Sequence, residues 1–230
     1  MQRAAIRIAN YWNRRIELFG DNLAFKEIKL GDSGIYSKNT ETNSDNESEH
    51  NEKDATIIKS TILGLSHGIL RPTTTHDTGG RAIVFIDPSR LKNYNKHNEM
   101  ERMGVARTFW CVLHSILENN DTAQKVGIVV LAYPHHLKLS YVDRKLMRMN
   151  MESLSGCIPV RLGALHVCHP PWFFAKIVFP IMKLVAGDRI RKRVRLHSGT
   201  EEKVLQDLEG FGLGKEVLPS ELGGEVVLEE

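Results

Sequence analysis

The sequence predicts an α/β domain built on a mainly parallel β-sheet. Three observations carry this. Short, mostly apolar runs at 81–87 and 126–133 read as strands buried on both faces, and 160–169 reads as a third strand. Stretches of helical periodicity separate them. Turn residues bracket the first run, with Gly79 and Gly80 before it and Pro88 after. Strands alternating with helices imply parallel pairing through right-handed crossovers.

The elements follow in order. Residues 1–19 read as a helix, with Ile8, Tyr11, Trp12 and Ile16 at helical spacing and arginines between them. Residues 37–54 hold six acids, two lysines and no Val, Ile, Leu, Met, Phe, Tyr or Trp. Such a stretch buries too little to offset its ordering entropy and is expected to be a disordered acidic insertion. From Met103 to Leu117, apolar residues recur at 103, 106, 109, 110, 113, 116 and 117, the stripe of an amphipathic helix. Residues 141–155 form a further helix, with Val142, Leu146 and Met149 on one side. Residues 171–186 are helical, and Pro180 should disturb the hydrogen-bond ladder. Residues 194–197 make a short fourth strand. Ser198, three positions before Glu201, fits a capping box that opens one more helix.

Composition bounds the function. A chain of 230 residues with 41% apolar side chains can bury a substantial core. Its net charge of +3 is low for a dedicated nucleic-acid binder. With −4 in residues 37–54, the remainder carries +7. The three cysteines do not make a disulfide framework, so a reducing, cytoplasmic setting is expected. The most apolar stretch, 171–186, contains two lysines and a proline and falls short of the roughly 20 residues a spanning helix needs. The N-terminus has no apolar signal core.

Sites for chemistry fail on spacing. His166 and His169 would point to opposite faces of a strand and cannot share a metal. His135 and His136 read as loop residues. No GxSxG elbow is present. Gly210 to Lys215 lacks the spacing of a phosphate loop and reads as glycines ending a helix. The expectation is a protein that is not an enzyme and carries no catalytic residue, metal or cofactor.

Two features stand out instead. In 171–186, Lys176 and Lys183 share one stripe while every other face is apolar. The helix is either an ordinary buried one, or one that covers a greasy cavity or dips into a bilayer interface. Directly after it, Arg189 to Arg195 holds five basic residues in seven. Apolar penetration beside cationic attraction is the pairing that docks proteins on anionic membranes.

The C-terminal half resembles the CRAL-TRIO, or Sec14-like, lipid-binding family. The resemblance rests on the run from Cys157 to Trp172, CIPVRLGALHVCHPPW, on Phe179 to Leu184, on Arg193 to Gly199, and on the LPSELGG of Leu218 to Gly224. It covers roughly residues 57–227, and the start of the chain is similar to the last part of the helical region that often precedes this domain. Three segments are therefore expected: a helical remnant (1–36), the acidic insertion (37–54) and a CRAL-TRIO domain (55–230).

The resemblance implies a sheet flooring a hydrophobic pocket, with helix 171–186 as a mobile gate. It implies binding of one phospholipid, phosphoinositide or isoprenoid, moved between membranes by a monomer that is peripheral on membranes. The alternative is a lipid-sensing or tethering module that does not transfer. Strand parity nominates Phe85, Leu131, Tyr133, Leu165, Val167 and His169 for the pocket. Trp172, Phe173, Ile177 and Ile181 are nominated for the gate. By the resemblance, Arg161, Arg189 and Arg193 match basic residues that hold a phosphoinositide headgroup outside the pocket. The glutamate of phosphatidylinositol-transferring members is replaced by Val160.

Overall fold

A computed structural model describes residues 2–31, 34–36, 47–186 and 188–228. Helix α1 (Gln2–Ala24) is interrupted at Gly20, whose φ of 72° is left-handed. A small antiparallel hairpin follows, β1 (Ile28–Gly31) and β2 (Gly34–Tyr36). Helix α2 (Glu47–Ser66) leads into strands β3 (Leu70–His76) and β4 (Ala82–Ile86). Helices α3 (Glu99–Glu118) and α4 (Asp121–Val126) then connect to β5 (Ile128–Ala132). Helix α5 (Arg144–Glu152) runs into a π-helical turn at Ser153–Cys157 and then β6 (Leu162–Cys168). A second π turn, Phe174–Val178, continues into α6 (Phe179–Val185). The short α7 (Asp188–Arg191) precedes β7 (Val194–His197), and α8 (Glu201–Glu209) follows it.

Five strands form one sheet in the order β3-β4-β5-β6-β7, with β3 antiparallel and the other four parallel. The parallel strands lie in chain order. Right-handed crossovers between strands added in one direction put every connecting helix on the same face. Strand parity then divides the apolar side chains between two cores. Val84, Val130, Leu165 and Val167 face α1, α3, α5 and the 172–185 helix. Ile83, Phe85, Val129, Leu131 and Cys168 face α8 and the C-terminal segment through Leu213, Leu218 and Leu222.

The helices on the first face are fixed by close approach. α2 crosses α3 at Gly64 and Gly104, and a Cβ on Gly104 would overlap the Ser60 carbonyl oxygen. Buried Arg107 of α3 donates to Ser60 Oγ at 2.9 Å and to the Leu18 carbonyl, tying three helices together.

Several expectations need correction. Of the acidic insertion, residues 37–46 lie outside the described residues, while 47–54 are helical. Glu and Lys are good helix formers, and this end propagates from the half of α2 that packs on α3. Strand β3 lies outside the expected strands; Pro72 removes one of its donors, which an edge strand tolerates. The cap of α8 is Thr200, accepting from the Lys203 amide at 3.4 Å, and not Ser198. The expected 141–155 helix is a 3-10 turn at Leu139–Tyr141, then α5, then the π turn, with Asp143 as the cap of α5.

Candidate functional site

An apolar cavity of about 180 Å³ lies between the sheet and its helices. Its floor is set by the strand register. Ile86, Ala132 and Val167 are direct neighbours across β4, β5 and β6, and Leu165 sits one rung below Val167. The small Ala132 between two branched side chains leaves room above the sheet. Val105 and Phe109 of α3 close one side, and Leu146, Asn150 and Met151 of the 144–157 segment another. The opposite wall is the 172–185 helix, through Phe174, Val178 and Met182.

That wall is built from an i, i+4, i+8 row. A π turn spans 174–178, and Phe174, Val178 and Met182 follow one another on one face in steps of four. The expected row of Phe173, Ile177 and Ile181 has the same step and lies one residue before the observed one. Trp172 is 75% exposed and turns away from the cavity. Phe173 and Ile177 pack against the same core without lining the cavity, and Ile181 is half-buried. The ladder changes from π to α between Val178 and Phe179, next to Pro180, whose missing N–H removes one bond from the continuous helix.

Of the residues nominated for the pocket, Leu165 and Val167 line the cavity. Phe85 and Leu131 do not; they lie on the other face of the sheet, packed with α8. Tyr133 also packs against that second core, and its ring lies 6.1 Å from that of His169 beyond the strand ends. His169 itself adopts a left-handed φ of 49° where the chain leaves β6, which takes it off the strand's alternation. The error was one of parity. Residues 85 and 131 pair with each other, and the cavity takes the alternate set.

Two polar side chains join the lining. Asp143 is committed: it accepts from Tyr94 Oη at 2.7 Å and Arg102 Nε at 2.8 Å, and it caps α5 through two backbone amides. Burial alone would raise its carboxyl, but these donors hold it below the usual range. Burial and the bond to Asp143 push the Tyr94 phenol up. This network is a structural tie without a spare proton acceptor. Asn150 also lines the cavity, from α5.

A second concavity, of about 440 Å³, lies at the amino ends of the parallel strands. Lys125, Arg161 and Arg193 stand just before β5, β6 and β7 and line it together with Arg7 of α1. Arg161 is exposed and Arg193 half-buried. The structure thus brings two of the three nominated basic residues together, and the side chain of Arg189 lies outside those described. Arg7 and Lys125, from sequence-distant elements, were not foreseen, because only the sheet's one-way order juxtaposes them.

Elsewhere, His166 and His197 form a buried pair on the α8 side of the sheet. No group of three metal-ligating side chains occurs among the described residues. Burial pushes the Cys111 and Cys168 thiols up to about 12, which suits packing and not nucleophilic chemistry. No helix among the described residues is long and apolar enough to cross a membrane.

A one-way parallel sheet whose helical face encloses an apolar chamber, walled by one interrupted helix, defines a hydrophobic-cavity α/β domain. The chain belongs to the CRAL/TRIO domain family, whose model matches residues 67–224. It is 28% identical over 122 residues to Clavesin-2 of Rattus norvegicus, covering 52% of this chain and 36% of that protein. It is 30% identical over 122 residues to Clavesin-1 of Xenopus laevis, covering 52% and 35%. The match thus spans about a third of the length of these curated relatives. A solved structure titled as that of Sfh5 aligns with a TM-score of 0.46 at 11% identity, over 66% of this chain and 64% of that one.

Proposed function

We propose that this chain holds a single hydrophobic ligand in the chamber above β4, β5 and β6 and carries it between membranes. The observation that supports this most is the chamber itself, apolar on the sheet side and closed by Phe174, Val178 and Met182. Small-molecule sites usually enclose about 300–1,000 Å³, so a chamber of about 180 Å³ describes a contracted state. Loading a lipid chain requires the 172–185 helix to move outward, and its two changes of ladder make it the wall least costly to displace.

The outer side of that helix suits docking on a bilayer. Trp172 and Leu184 are 75% and 82% exposed, and Lys176 and Lys183 flank them. The basic turn at 191–195 follows directly, and attraction to an anionic surface adds about 1 kcal/mol per nearby cation. In this reading the protein is peripheral on membranes facing the cytoplasm, works without a catalytic group, and uses Arg161 and Arg193 to hold a phosphoinositide headgroup outside the chamber. Family membership favours the reading. Transfer of fluorescent phospholipids and isoprenoids between vesicles tests it; a protein that accelerates the exchange of none of a broad panel sinks it.

One observation favours a second reading. A chamber this small fits a domain that senses or tethers lipid without exchanging it, which predicts vesicle binding without transfer.

A further inference from the structure

A third concavity, of about 620 Å³, adjoins the chamber at the opposite end of the strands from the Arg161 cleft. Three segments build it: the end of α2 at Ser66 and His67, and two segments that leave the carboxyl ends of the neighbouring parallel strands β4 and β5. The turn after β4 sends Pro88 and Leu91 to the chamber but Arg90 and Lys92 to the groove. The segment after β5 sends Leu137 to the chamber but Lys138 to the groove. Tyr141 lines both, and Lys138 Nζ lies 5.9 Å from the centroid of its ring.

The groove is lined by three permanent cations and by no carboxylate. The nearest acid in sequence, Asp87, spends Oδ1 on the Ser89 amide at 2.9 Å and Ser89 Oγ at 2.6 Å, while its Oδ2 pairs with Arg90 Nε at 3.8 Å, so Lys92 and Lys138 carry most of the groove's charge. Lys92 and Lys138 are exposed. An apolar chamber that shares a wall with a cationic groove is complementary to a molecule with a chain at one end and negative charge at the other.

We infer that the chamber takes an amphiphile with an anionic head, a carboxylate or a phosphate monoester, and that the head lies in the groove of Arg90, Lys92 and Lys138. This inference rests on the chamber being a ligand site. It differs from headgroup binding at Arg161 and Arg193, which occupy the far end of the sheet. Charge-assisted bonds from Arg and Lys are the chemistry that recognises such a head.

The test uses cis-parinaric acid and its methyl ester, which share a chain and differ in head charge. The full chain should bind the acid about tenfold more tightly than the ester by fluorescence titration. In the double variant Lys92→Glu, Lys138→Glu, with a melting temperature matching the parent, that ratio should fall to about one or below. In Arg161→Glu, Arg193→Glu the ratio should persist. Displacement of the bound acid by palmitate or by a lysophosphatidate, but not by a monoacylglycerol, supports the inference, and the stronger of the two names the head. Equal affinity for acid and ester, a ratio that survives the Lys92 and Lys138 changes, or a ratio that collapses with the Arg161 and Arg193 changes overturns it. The chamber reading stands in those cases because the ester still binds. Binding of neither probe overturns both.

Discussion

His166 Nδ1 and His197 Nε2 lie 2.8 Å apart on neighbouring strands, sealed beneath Phe211. Only one proton can be shared along that contact, so one ring donates and the other accepts. Burial, then the facing His197 and Arg195, lower His166 to about 4. Burial also lowers His197, against the opposing pull of Asp207.

The pair makes stability depend on acid. The unfolded chain takes up protons near the ordinary histidine pKa of about 6.5, while the folded chain resists until about 4. Stability is therefore complete above the first value and lost as pH falls toward the second. Melting temperature followed by circular dichroism should drop across this window, and less steeply in His166→Gln. An equal slope in both proteins would assign the acid sensitivity elsewhere.

The crossing of α2 and α3 has no space for a side chain at position 104. Gly104→Ala should cost about 1–3 kcal/mol, as overpacking does, despite the better helix propensity of alanine. Urea unfolding would show an unchanged slope and a lower midpoint; a stabilised variant would refute the close crossing.

Filling the chamber should separate ligand binding from folding. Val178→Trp places a larger ring on the inward row of the gate, between Phe174 and Met182. Lipid uptake should fall by about tenfold or more, with stability lowered by about 1–3 kcal/mol. Trp172→Ala, two residues outside that row, should leave uptake of a soluble probe unchanged.

The same Trp172→Ala should weaken vesicle binding. Its ring is 75% exposed, so little stability is at stake, while burial of such a side chain is worth about 1.5–3 kcal/mol. Co-sedimentation with anionic vesicles should show a loss of about tenfold or more, and the melting temperature should hold. Unchanged binding would move the docking surface away from this helix.

The buried strands β4 and β5 were legible because nothing polar interrupts their apolar runs, β6 despite His166 in its middle, and α3 because its stripe is long. What sequence could not supply was the choice between equivalent faces. Phe85 and Leu131 sit among residues as apolar as Ile86 and Ala132, since both sides of the sheet are covered. Parity groups them correctly but does not say which group meets the helices. Ala132 carries the one hint, a small residue among branched ones. The gate row slipped for the same reason: Phe173, Ile177 and Ile181 keep the same four-residue step as Phe174, Val178 and Met182, and in a segment apolar on nearly every side the spacing does not say which row turns inward. Strand β3 and the partnership of Lys125 with Arg161 and Arg193 depend on tertiary placement alone.

The chamber's walls differ in stiffness. The floor is a five-stranded sheet held from beneath by a second core of α8 and the C-terminal segment, with Leu208, Leu213 and Leu218 fully enclosed. The roof is a single helix whose ladder changes from π to α partway along. Deformation therefore concentrates in the roof, as it does in a drum with one skin. Changes of side-chain size along Phe174, Val178 and Met182 can retune the width of the bound molecule while the floor, and most of the stability, stays as it is.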